Sequence, residues 1–167
     1  MKMIVQLGPH CLLYSAAMLL DTHPDVLRGE IGYSGQEKWW PEAEKPLHRI
    51  RSFHIQEIVD CCLRRGFALT PIDYMPRMAP QGHEDQWLLM NTEEKLEKRF
   101  QEHIHGHLGL FIGQKPNGPH AVAWNGHLVF DPTPPKGYIY NLGTNPVEFQ
   151  AREFWRLDVI KSVSIVF

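Results

Sequence analysis

The stretch QLGPHCLLYSAAMLLD, residues 6–21, sets a cysteine at the mouth of an almost wholly apolar helix, just past a Gly-Pro turn. A thiol attacks a carbonyl as its thiolate, and free cysteine at neutral pH is only a few per cent in that form. Helix N–H groups aimed at the sulfur and a neighbouring imidazolium both favour the thiolate. Cys11 has the first by position, and a histidine from elsewhere must supply the second. Attack also creates an oxyanion, which needs preorganised donors. The Cys11 backbone N–H is one candidate and the side-chain amide of Gln6, just upstream, is another. The plainer alternative for Gln6 is an exposed polar residue before a turn.

The histidine and its partner come from HAVAWNGHLVFDP, residues 120–132. Asn125-Gly126 is the strongest hairpin signal in the chain, because a type I′ turn needs positive φ at both central positions. With those two residues as the loop, Trp124 faces His127, Ala123 faces Leu128, Val122 faces Val129, Ala121 faces Phe130 and His120 faces Asp131. Opposed residues share a face, with Cβ atoms about 4.5–5.5 Å apart. At that separation a carboxylate accepts the imidazole N–H, fixes the tautomer and stabilises the imidazolium. The pair lies at the open end of the hairpin, beside Gly118-Pro119 and Pro132-Thr133-Pro134. A surface ion pair, or a hairpin shifted in register, is the alternative reading.

The order Gln6, Cys11, His120, Asp131 resembles that of papain-like cysteine peptidases, whose sites run Gln, Cys, His, Asn/Asp. Among the branches of that clan the chain is most similar to the compact bacterial peptidases that process double-glycine leader peptides of bacteriocins. The stretches that carry the likeness are QLGPHCLLYSAAMLL, IQEIVDCCLRRGF and HAVAWNGHLVFDP. The resemblance implies a papain-like fold, with Cys11 as nucleophile and His120 as general base and acid. It implies that Asp131 orients His120 and that Gln6 is the oxyanion-hole amide. Leu12 stands where members commonly place glycine, and the segment around Trp39-Trp40 and the Met75–Met90 loop match no family pattern. No transporter membrane domain follows, so the resemblance does not carry over the leader-processing role itself.

Elements must hold these residues in place. The period predicts a helix over Cys11–Leu20, buried on nearly every side, and a loop-rich stretch from Asp21 to Ser52. A second helix starts at Ser52 or Phe53, with Ile55, Ile58, Val59, Cys62 and Leu63 on one face and Gly66 as its stop. FALTPIDY reads as a strand at a sheet edge, because Pro71 lies within it. Asn91 with Glu94 resembles a capping box opening a helix to about residue 103. The period then changes to short β-rich runs, HLGLFIG, HAVAWNGHLVFDP, GYIYNLG and VIKSVSIVF, with a short helix around AREFWRL. A helical front half and a sheet-forming back half predict an α+β fold. Residues 1–167 are expected to form one domain, and the resemblance implies that the nucleophile helix packs on an antiparallel sheet lobe.

Composition bounds the function. Hydrophobic content of 43%, charged content of 22% and a net charge of −2 are those of an ordinary globular protein and give no pull toward nucleic acid or membranes. The apolar run at Cys11–Leu20 is too short to span a bilayer. The opening MKMIVQLGPHC lacks a signal-peptide layout, and three cysteines do not make a disulfide framework, so a reduced, cytoplasmic setting is expected. Cys61 and Cys62 read as packing thiols, with a redox pair as the poorer alternative. His103, His105 and His107 would share one face of a strand as metal ligands do, but at a helix end they complement its dipole instead. His10, next to Cys11, points away from it at a helix start, and His127 lies too near the hairpin tip to replace His120. Trp39, Trp40 and Trp87 suit a core or a groove wall alike.

The expectation is therefore a thiol hydrolase acting on peptide or isopeptide bonds of a peptide or protein partner, without cofactor or metal. Acyl transfer to an amine and glutamine deamidation need the same four residues, and a catalytically idle binding module needs none of them.

Overall fold

The computed structural model describes residues 1–36, 52–73 and 93–160. The expectations for Trp39, Trp40, Trp87, Asn91, the Met75–Met90 loop and most of VIKSVSIVF lie outside these residues. The described elements, in chain order, are α1 (Cys11–Leu19), α2 (Pro24–Ile31), α3 (Ile55–Arg64), β1 (Phe67–Asp73), α4 (Glu93–His103), β2 (Gly109–Lys115), β3 (Gly118–Trp124), β4 (Val129–Asp131), β5 (Tyr138–Tyr140) and β6 (Gln150–Val159). The fold is α+β, with one six-stranded sheet in the order β1-β6-β2-β3-β4-β5, antiparallel at every pairing.

Helix α1 is buried from Leu12 through Leu19, as a helix apolar all round must be. Its one buried polar side chain, Ser15, donates its hydroxyl to the Ala121 carbonyl at 2.9 Å, which fastens α1 to β3. Helix α2 corrects the loop expected from Asp21 onward. Pro24 occupies its first turn, His23 accepts from the Asp25 N–H at its start, and Gly32 ends it in the left-handed region. Only Pro24 and Leu27 are buried there, so the apolar stripe is too sparse to announce itself. Helix α3 starts with a capping box in which His54 accepts from the first turn and Glu57 accepts from the His54 N–H. Its buried face is Ile58, Cys61 and Cys62, whereas Leu63, expected on that face, is 49% exposed.

Strand β1 lies at the sheet edge, where Pro71 costs no ladder bond. AREFWRL is the second correction, because it forms the middle of β6 between β1 and β2 and not a helix. A strand covered on both faces carries large residues on both. Trp155 and Leu157 pack with the helices, and Phe154 packs on the opposite face with Phe111 and Ile104. The sheet therefore divides two apolar layers, one under α1, α2 and α3 and one against Phe149, Tyr140 and the turn after α4.

The β3–β4 hairpin is the third correction. The observed partners are Ala123 with Phe130 and Trp124 with Val129, two residues out from the expected register. Only Gly126 of the two turn residues takes positive φ, at 99°. Asn125 Oδ1 instead accepts from the N–H groups of His127 and Leu128, at 3.0 and 2.7 Å, and closes a longer loop. A short polar side chain that bonds its own backbone competes with the tighter turn. Because side chains alternate with period two, a slip of two leaves every residue on its original face. His120 and Asp131 stay side by side.

His103, His105 and His107 span the end of α4 and the turn beyond it, which rules out the shared strand face. The His105 ring meets His127 at 5.0 Å between centroids. No helix among the described residues is long and apolar enough to cross a membrane.

Candidate active site

Cys11 is the first residue of α1, and no side chain caps the helix ahead of it. The N–H groups of the first turn are thus unclaimed at the sulfur. His10, the residue before, is 1% exposed and turns away. Its Nδ1 lies 3.3 Å from Ser52 Oγ and its ring meets Phe53 edge-on. Burial pulls the His10 imidazole below its ordinary range, and the nearby Arg28 charge pulls the same way. His10 is a neutral packing residue.

His120 sits early in β3, 7% exposed, and its Nε2–H donates to Asp131 Oδ1 at 2.8 Å. That leaves Nδ1 for Cys11, whose thiol is a hydrogen-bond and charge partner of the ring. Burial alone would pull the imidazole down. The bonds to Asp131 and Cys11 and their two charges outweigh it and raise the ring to about 9. His120 is therefore an imidazolium at neutral pH, the neighbour a thiolate nucleophile requires.

Asp131, at the end of β4, is fully buried. Burial pushes its carboxyl up, but His120 and then Thr133 hold it below the usual carboxylate range. Thr133 donates twice to the same oxygen, through its hydroxyl at 2.5 Å and its N–H at 2.9 Å. Lys115 Nζ in turn donates to the Thr133 hydroxyl at 2.9 Å and stands 3.8 Å from Asp131 Oδ2. Phe149 closes the other side of the imidazole, edge-on at 5.8 Å. Sequence reasoning misses Thr133, Lys115 and Phe149. The Pro132-Thr133-Pro134 break carries the one available signal, since threonine two residues past an aspartate is placed to bond it.

Gln6 lies on the other flank of His120. It lines a hollow of about 190 Å³ with Lys115, Gly118, Pro119, His120 and Thr133. Its backbone N–H donates to Pro132 O at 2.8 Å, which ties the leading segment to the loop after β4. Its side-chain Nε2 donates to Gly8 O at 3.0 Å, and a primary amide keeps a second N–H beyond that bond. The structure thus places Cys11 and His120 on one cleft, bonds His120 to Asp131, and sets Gln6 beside His120 with half of its donor capacity already used.

A separate cleft of about 470 Å³ opens over Cys11 and His120. The start of α1 and the Ser52–Ile55 segment form its walls, and Ile112, Ala121 and Glu153 of the sheet form its floor. At this end β2 and β6 run unusually close. A Cβ on Gly113, which pairs with His120, would fall 1.9 Å from the Gln150 carbonyl oxygen. Cys61 and Cys62 are buried and unlinked on α3, and burial pushes the Cys62 thiol up to about 12. No family model and no curated protein sequence matches this chain.

Proposed function

We propose that the protein is a thiol hydrolase of papain-like type that cleaves peptide or isopeptide bonds through Cys11, His120 and Asp131. The observation that carries this reading is the continuous line from a half-buried sulfur at a helix start, through a buried imidazolium, to a fully buried carboxylate. Burying that much charge is costly for a packing role alone, and the line ends in an open cleft large enough for a peptide side chain.

In this mechanism the Cys11 sulfur attacks the substrate carbonyl carbon. The oxyanion that forms is received by the Cys11 N–H and the second N–H of Gln6. His120 gives its proton to the leaving amine, and the acyl group stays on Cys11 as a thioester. His120, now neutral, takes a proton from water, whose oxygen attacks the thioester and frees the acid and the thiol. Asp131 holds the ring on one tautomer throughout. An amine in place of water, or a glutamine side chain as the acyl donor, fits the same steps.

Intact-mass analysis after brief iodoacetamide treatment at pH 7, and after incubation with a peptide aldehyde, tests the proposal. One alkylation on Cys11, far faster than on a free thiol, and blocking of that alkylation by the aldehyde are expected. Cys11→Ala should take up neither reagent. Alkylation of Cys11 at a free-thiol rate would sink the proposal.

A further inference from the structure

Building on the thiol-hydrolase reading, we propose that Glu153 selects substrates with a cationic side chain, lysine or arginine, in the cleft beside Cys11. Glu153 lies on β6 opposite Ile112, and it shares the cleft with Cys11 and His120. The rest of the surface a side chain would meet there is largely apolar, with Pro9, Phe53, Ile55 and Ile112 among the lining residues. Glu153 is half-buried and takes part in no hydrogen bond or ion pair among the described residues. By contrast, Glu30 on α2 is paired with Arg65, and Asp158 farther along β6 is paired with Arg156.

A carboxylate held by no hydrogen bond or ion pair in a largely apolar cleft, with the His120 charge already committed to Asp131, sets strict terms for whatever enters. A neutral side chain strips water from it and returns nothing, and an acidic one adds repulsion. Lysine and arginine lay a chain of methylenes against apolar walls and end in a charge. The lining offers those two features together, apolar walls and the Glu153 carboxylate. His54 also lines the cleft. Its Nδ1 already accepts from the Gln56 N–H at the start of α3.

Peptide chloromethyl ketones carrying lysine, norleucine or glutamate at each of three positions before the warhead test this. The rate of Cys11 alkylation is read by intact mass, and each rate is divided by the same protein's iodoacetamide rate. Wild type should prefer lysine over norleucine about tenfold at one position, the worth of one hydrogen bond to a charged group. It should react slowest with glutamate there. Glu153→Gln should bring lysine and norleucine together, and Glu153→Lys should favour glutamate. Equal lysine and norleucine rates in wild type at every position, or a lysine preference kept by Glu153→Gln, would overturn the assignment. The iodoacetamide rate alone reports on the underlying thiol reading, so the two failures are told apart.

Discussion

At His120, burial and bonding act in opposite directions, and the outcome is settled by how many groups gather on one carboxylate oxygen. Asp131 Oδ1 receives His120 Nε2–H, the Thr133 hydroxyl and the Thr133 N–H. Each bond holds the carboxyl in its charged form, and that charge holds the imidazolium. Gln6 is the least committed member of the site, because one N–H already serves Gly8. If its second N–H receives the oxyanion, Gln6→Ala should lower turnover by about a hundred- to a thousandfold and leave substrate affinity nearly unchanged. If Gln6 only braces the turn, the same change should shift stability by about 0.5 kcal/mol or less and leave turnover alone. Turnover and binding measured together on one preparation decide between them. The place of Cys11 at a helix start and of His120 beside Asp131 is legible in the sequence itself, because a helix mouth and a hairpin are local patterns. Thr133 bonds Asp131 only once the chain bends after β4, and Glu153 reaches the cleft only because β6 lies beside β2. Neither fact is written in local spacing.

At the level of elements, one buried hydrogen bond adds to the apolar packing that sets the helix of Cys11 against the strand of His120. Ser15 is one helical turn after Cys11, and its hydroxyl donates to the carbonyl of Ala121, the residue after His120. The bond fixes the height of α1 against β3 where the sulfur must meet the imidazole. Ser15→Ala leaves a buried carbonyl without its donor, which costs about 1–3 kcal/mol. It should also lower the rate of Cys11 alkylation, and thermal unfolding with iodoacetamide kinetics will show both. A loss of stability with an unchanged alkylation rate would make Ser15 a packing residue only. The two elements that the sequence conceals, α2 and β6, are hidden for opposite reasons. Helix α2 buries too few residues for its period to be seen. Strand β6 has large residues on both faces, so its period of two is lost among apolar side chains. Asn125-Gly126 marks the hairpin in the right place with its register out by two, because the Asn125 side chain closes a longer loop.

For the whole molecule, the raised His120 value makes both stability and chemistry depend on pH. A histidine whose folded value, about 9, exceeds its ordinary 6.5 binds its proton more tightly when folded. The stabilisation is fully present below 6.5 and is lost as pH rises through about 9. The unfolding midpoint should therefore fall between those limits in wild type, and much less in His120→Ala. Under the proposed mechanism, turnover should also decline on the alkaline side near pH 9, as the His120 proton is lost, with an apparent value belonging to the Cys11–His120 pair. A flat stability profile from pH 6.5 to 9 would contradict the imidazolium assignment. The order of the sheet has a further consequence, for synthesis. Strand β6 is the last described element to leave the ribosome, yet it fills the gap between β1 and β2. Until it arrives, β1 has no strand partner among the described residues and the cleft lacks its acidic residue, Glu153. Pairings between segments so far apart in the chain form late. A nascent chain halted before residue 150 already carries Cys11, His120 and Asp131 but has no strand to join β1 to β2. The candidate site is therefore complete only after β6 is translated, because Glu153 and the strand that pairs with β2 arrive together.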